Sequence, residues 1–249
     1  MIVWDERVAG WLLGKADELR EAGVVELFQG LVGRTWRRNV EGFDESAGDT
    51  ATSLGVTQAE NLRELSLREF RDHRALWVGR GVEVSAPDQS LLVNAAGLAL
   101  HPMKARNNTQ QDPAWAATRW SEQSEVRHDA ARDNRARYTP VFEPTLPDME
   151  SLGARDPGTM SHAMVVYCGG LRTGRTAGWL AVPSADKDGA ERHLPWMAAA
   201  RLWWDEGDLQ GKASHPDSTP SPTRFDSQPA PEAPVTLKPA RPARPASST

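Results

Sequence analysis

APDQSLLVNAAGLALHPMKAR, residues 86–106, is the stretch on which the reading of the whole chain turns. Ser90 to Val93 and Leu98 to His101 are two apolar arms facing each other across Asn94-Ala95-Ala96-Gly97. A short connection containing Asn and Gly between β-forming runs predicts a hairpin. Pro102 ends the second arm or sets it at a sheet edge, because proline has no N–H to give to a ladder. The flanks carry Asp88, His101, Lys104 and Arg106, the one cluster of chemically useful side chains tied to a definable element.

Working outward, ALWVGRGVEVS, residues 75–85, reads as a strand before the hairpin, with Val82 and Val84 alternating around Glu83. After the hairpin, NNTQQDP is a polar loop and Trp115 to Tyr138 reads as a long charged helix with a thin apolar stripe. SHAMVVYCG and TAGWLAVPS then form a second hairpin around GGLRTGR, and PWMAAARLWW reads as a last short helix. At the other end, apolar residues at helical spacing over 4–38 predict two helices separated at Gly23. The expected fold is α+β over residues 1–206: N-terminal helices, then an antiparallel sheet of about five strands from two hairpins, with a long helix between them. Residues 207–249 are expected to be a disordered tail, because Leu209–Thr249 holds nine of the 18 prolines and almost no bulky apolar residue. Within it, Pro239, Pro242 and Arg244 give the PxxPxR spacing of a polyproline II ligand.

The chain has 249 residues and a formal net charge of −5. From Leu209 onward five Lys/Arg stand against three Asp/Glu, a net of +2, which leaves −7 for the body. That excludes a uniformly basic nucleic-acid binder while leaving room for a local basic patch. The single cysteine, Cys168, rules out an intrachain disulfide and a multi-cysteine metal site, and fits a reducing compartment. No apolar run reaches the roughly 20 residues needed to cross a bilayer. The expectation is a soluble cytoplasmic protein with no membrane partner. The ten tryptophans are scattered, which points to core packing rather than a stacking surface.

Ala51, Leu54, Gly55, Val56, Thr57 and Ala59, within ATSLGVTQAENLREL, follow the pattern of a helix-turn-helix motif. The stretch resembles that DNA-binding family over about fifteen residues. The resemblance implies a turn at Gly55, an N-cap at Thr57 with Glu60 closing a capping box, and Thr57, Gln58, Glu60 and Arg63 turned toward DNA. It departs from the pattern at Asn61, Gly48 and Asp49. The same residues also read as a loop ending in an N-capped amphipathic helix with Leu62, Leu65 and Phe70 inward. Arg34, Arg37 and Arg38, beside Trp36, form a basic patch that is either a solvated helix end or a phosphate contact.

No specific catalytic motif is present, and Cys168, inside an apolar run, reads as a buried inert thiol. The order helix, three strands, helix, strand nevertheless resembles the core of restriction-endonuclease-like nucleases. Asp88, after Pro87, opens the second strand, and Lys104 ends the third. The resemblance implies carboxylates holding Mg²⁺ and a lysine that orients the attacking water. It departs at Pro102, where an acidic residue is expected; His101 or Glu26 would have to complete the set, with Asp88 and Glu26 as metal ligands. Two functions follow as expectations. One is a non-catalytic binding or regulatory protein, without a cofactor, that works through a protein partner and in part through nucleic acid. The other is a Mg²⁺-dependent nuclease or its inactive relic.

Overall fold

The computed structural model describes residues 2–3, 5–105, 112–120, 124–138, 156–186 and 190–205. The expected tail (207–249), its PxxPxR segment, Arg106 and most of the proline-rich connector 139–159 lie outside the described residues. Met1–Leu209 form one compact unit.

The N-terminal half is helical where the apolar spacing predicts it. Asp5 caps α1 (Glu6–Glu21) by accepting from the N–H groups of Arg7 and Val8. Gly23, at φ 77°, makes the left-handed step into α2 (Val24–Glu41). α2 runs on through Gly33 and the RTWRRN stretch. α3 is one continuous helix, Ala51–Asp72, and this corrects the helix-turn-helix expectation. There is no turn at Gly55. The cap is Thr50, whose side chain and that of Ser53 close a reciprocal capping box seven residues ahead of Thr57. Leu54, Gln58, Leu62 and Ser66 form its buried stripe. Two polar members hide that stripe from a hydrophobicity pattern.

The sheet has seven strands in the order β1-β7-β6-β5-β4-β3-β2: β1 (Ile2–Val3), β2 (Glu83–Ser85), β3 (Leu92–Ala95), β4 (Leu98–Lys104), β5 (His162–Gly169), β6 (Thr176–Ala185) and β7 (Glu191–Trp204). The fold is α+β, but the sheet is mixed rather than antiparallel: β4 and β5 run parallel, with Leu100 opposite Ala163 and Lys104 opposite Tyr167. The two hairpins are joined by a crossover carrying α5 (Glu125–Arg137), which covers the opposite face of the sheet from α1–α3. A crossover of this kind returns the chain parallel to the strand it left. The first hairpin turns at Ala96-Gly97, both at positive φ (52° and 72°), a tighter two-residue version of the expected loop.

Three further expectations are corrected. The stretch ALWVGRGVEVS is not one strand: Arg74–Gly79 is a short helix, α4, and only Glu83–Ser85 is strand. The helix expected over Trp115–Tyr138 is confined, among the described residues, to Glu125–Arg137, where Ser124 caps it; Trp115 sits in a preceding turn and Trp120 at a bend. PWMAAARLWW is the body of β7, not a helix. A strand covered on both faces is apolar throughout and loses its period-2 signature, and burial overrides alanine's helix preference.

Alternation along β5 divides the core. Ala163, Val165 and Tyr167 pack with α1–α3, while Met164, Val166 and Cys168 pack with α5. The second layer is built on tryptophan. Trp115 meets Trp179 and Trp196 edge-on, and Trp179 meets Trp204 in the same way. Most of the described tryptophans therefore pack in the core, as their scattered placement predicts.

Candidate functional site

β3 is too short to cover β4. It pairs only with Leu98–Leu100, so residues 101–104 have no strand on that side. Ala99 donates its N–H to the Ser161 carbonyl just before β5, and Ala105 to that of Tyr167 within it, at 2.7 Å each. By alternation Leu98, Leu100, Pro102 and Lys104 turn their backbone toward the gap. Pro102 removes the one donor in the middle of it, which blunts the open edge.

The chain before β3 swings away instead of pairing. Residues 87–89 make a 3-10 turn with Asp88 at φ 47° and Gln89 at φ 64°. The gap is a crevice of about 210 Å³. Glu60, Leu62 and Arg63 of α3 line one side, Gln89 to Leu91 the rim, and Ser124, Val126 and Arg127 at the start of α5 the other. His101, Pro102 and Tyr167 form the floor. Arg63 donates to the Gln89 carbonyl (3.2 Å) and pairs with Glu64 (3.0 Å). Arg127 donates to the Trp120 carbonyl at 2.7 Å.

His101 begins a line of polar groups that runs under α5. Its Nε2 lies 3.1 Å from Nδ1 of His162, whose Nε2 lies 3.3 Å from Asp133. Asp133 also accepts from Ser161 (2.9 Å) and pairs with Arg137 (3.0 Å). Burial, then the neighbouring His162 and Arg127, lowers the pKa of His101 to about 4. Burial lowers that of His162 too, against the pull of Asp133. Burial would raise Asp133, but the hydrogen bonds from Ser161 and Arg137 outweigh it and hold the carboxyl below its ordinary range. With Asp133 ionised, His162 donates to it through Nε2 and accepts from His101 Nε2 through Nδ1. His101 is then a neutral imidazole whose Nδ1 is an acceptor.

A second feature lies at the C-terminal half of α2. Trp36 lies flat on Gly169, where any Cβ would run into the indole, and its Nε1 donates to the Gly170 carbonyl at 3.2 Å. The Lys104 ammonium lies 5.4 Å from the Trp36 ring centre, beside Gly55 of α3. Burial lowers its pKa. No described carboxylate pairs with it. Arg37 lies along Gly33 and against Gly174 in the β5–β6 turn, which also carries exposed Arg172. Arg37, Arg38 and Arg172 are exposed, and none forms an ion pair among the described residues. Arg34 faces a separate open hollow with Glu26, Glu69 and Arg80.

The residues expected to carry function are thus scattered over several places. His101 and Arg63 share the crevice. Lys104, Arg37 and Arg38 share the basic end with Trp36. Asp88 is exposed on the strained turn at the end of the hairpin where Lys104 also lies. Glu26 is exposed in the first turn of α2, ten residues and so about 15 Å along the helix from Trp36. Among the described residues no three His, Cys, Asp or Glu side chains come together as a metal site. Thr57 is exposed. Gln58 is fully buried: it donates to Thr35 (2.5 Å) and accepts from Asn39 (2.9 Å), so it has nothing to offer a base. Glu60 is marked by the sequence only for the helix-turn-helix resemblance, whereas Tyr167, Arg127 and the His162–Asp133 pair are not marked, because they come from different elements and share no spacing.

Comparison with family models, with curated proteins and with solved structures finds no match. No described helix is long and apolar enough to cross a membrane.

Proposed function

We propose that this chain is a non-catalytic binding protein that holds a nucleic-acid partner by its phosphates at the basic end of α2. The observation that carries this reading is the set of cations without counter-ions among the described residues: Arg37, Arg38, Arg172 and the half-buried Lys104. In a chain of net charge −5, a local set of unpaired cations is kept at a cost in self-repulsion that an anionic partner relieves. The DNA contact expected at Thr57 and Gln58 moves, in this reading, to Arg37, Arg38 and Arg172. The buried Cys168 fits a cytoplasmic setting.

The test is fluorescence anisotropy with a labelled duplex and a labelled single strand over a range of salt. Four phosphate contacts predict a log–log slope of about −4 on duplex. Replacing Arg37, Arg38 and Arg172 together by Ala should bring the slope to about −1. Absence of binding at low salt ends the proposal.

One observation favours the nuclease as a second reading. With the short α4 set aside, the order α3, β2, β3, β4, α5, β5 resembles the helix, three strands, helix, strand of restriction-endonuclease-like nucleases, and Asp88 and Lys104 lie at the same end of the β3–β4 hairpin. Asp88 would be a metal ligand, and Mg²⁺ would supply a polarised phosphate and an activated water. Lys104, lowered by burial, would orient that water. Glu26, about 15 Å along α2 from Trp36, does not join them. This reading requires cleavage that needs Mg²⁺, stops in EDTA and is lost in both Asp88→Ala and Lys104→Ala.

A further inference from the structure

We propose that the turn joining β5 to β6 is a wedge for duplex DNA: Leu171 enters the minor groove at a flexible base step and kinks it, while Arg172, Arg37 and Arg38 hold the flanking phosphates. The proposal rests on the phosphate-binding reading of this end of the molecule. It adds the form of the partner and the deformation the partner undergoes.

Leu171 is the one residue of this turn that turn chemistry does not call for. The connection reads Gly170-Leu171-Arg172-Thr173-Gly174-Arg175, with Gly174 at φ 63°. The glycines and the threonine are the residues such a turn favours. Leu171 is 41 % exposed, directly before the exposed Arg172. A single exposed leucine is common on protein surfaces. This one differs in how it is mounted and in what surrounds it.

The mounting is rigid. The Gly170 N–H donates to the Arg175 carbonyl and the Gly174 N–H to the Gly170 carbonyl, at 2.9 Å each, so the turn closes on itself. The Gly170 carbonyl also accepts from Trp36 Nε1 at 3.2 Å, and the indole lies flat on Gly169. α2 thereby fixes the base of the turn. The Arg37 stem lies 3.7 Å from the place a Cβ of Gly174 would take, so the turn and the cations of α2 are held as one surface. A preorganised tip loses little freedom when it inserts.

The surroundings select the partner. Arg172, Arg37 and Arg38 are exposed and form no ion pair among the described residues. A phosphate chain alone satisfies the cations and leaves the leucine in water. A duplex satisfies both, because its backbones flank a minor groove about 6 Å wide whose floor exposes apolar base faces once a step unstacks. Leucine is among the side chains that part base steps in this way, and arginine is the cation that accompanies them in the minor groove. Pyrimidine–purine steps part most easily, so a central TA or CA step is the expected site.

The full chain, titrated into end-labelled duplexes that differ only at the central step, tests this. On binding at a central TA step, energy transfer between the duplex ends should rise, and a fluorescent adenine analogue in the step should brighten severalfold as it unstacks. A duplex with a central mismatch, already partly unstacked, should bind about tenfold more tightly than its paired counterpart. Leu171→Ala, at an exposed position that leaves the fold intact, should abolish the brightening and the mismatch preference. It should keep the salt slope, because the phosphate contacts remain. Duplex binding without brightening, or with brightening that Leu171→Ala retains, overturns the wedge and leaves the phosphate contacts standing. No duplex binding at low salt overturns both.

Discussion

His101 is neutral in the folded protein because it lies buried against His162 and Arg127, and its pKa is lowered to about 4. In the unfolded chain it titrates near 6.5. Between those values the unfolded state binds the extra proton, so stability is complete above the unfolded value and is lost as pH falls toward the folded one. The loss from His101 alone should be about 2 kcal/mol at pH 5. Thermal melts at pH 7.5 and pH 5 should show it, and His101→Gln should flatten the difference. A second residue-scale effect is steric. The indole of Trp203 occupies the place where a Cβ at Gly178 would sit. Gly178→Ala should therefore cost about 1–3 kcal/mol by overpacking, read from a denaturant midpoint.

At the scale of elements, α2 and α3 are joined by a polar ladder, not by leucines alone. Gln58 bridges Thr35 and Asn39, and Asn61 donates to Asn39 at 2.8 Å. Gln58→Ala leaves buried partners unsatisfied and opens a cavity, so it should cost about 3 kcal/mol. It should leave duplex affinity unchanged in the protein that remains folded. A DNA-reading Gln58 would show the opposite pattern, with affinity lost and melting temperature kept. The start of α3 separates the two readings in another way. Thr50→Ala should cost about 1 kcal/mol through loss of the capping box, and the mid-helix Thr57→Ala less than about 0.5 kcal/mol.

At the scale of the molecule, charge and shape act separately. The net charge of −5 opposes contact with a polyanion everywhere except where cations stand unpaired. Raising salt should therefore weaken duplex binding steeply while leaving the melting temperature nearly unchanged, since the described ion pairs are mostly exposed and contribute little. The same experiment in the Arg37, Arg38 and Arg172 triple variant isolates the patch.

Much of this architecture was legible beforehand, for local reasons. Gly23 breaks the first helical run because glycine alone steps easily into positive φ, and the Ala96-Gly97 turn and the β5–β6 hairpin follow from turn chemistry next to β-forming residues. Pro102 announces an open edge because a missing N–H is a property of the residue itself. The candidate site was much less visible. His101 and Glu60 stood out one by one, but Tyr167 and Arg127 did not, and the meeting of all four depends on a strand that leaves residues 101–104 of β4 uncovered.

The sequence by itself determined where helices begin, where hairpins turn and that the chain is α+β, since caps, glycines and periodicity act within a few residues. Only the tertiary structure decided that β4 and β5 run parallel, that the alanine-rich PWMAAARLWW is a strand, and that Gln58 faces α2 rather than solvent. Those outcomes rest on burial against residues far away in the chain, where hydrophobic contact outweighs local preference.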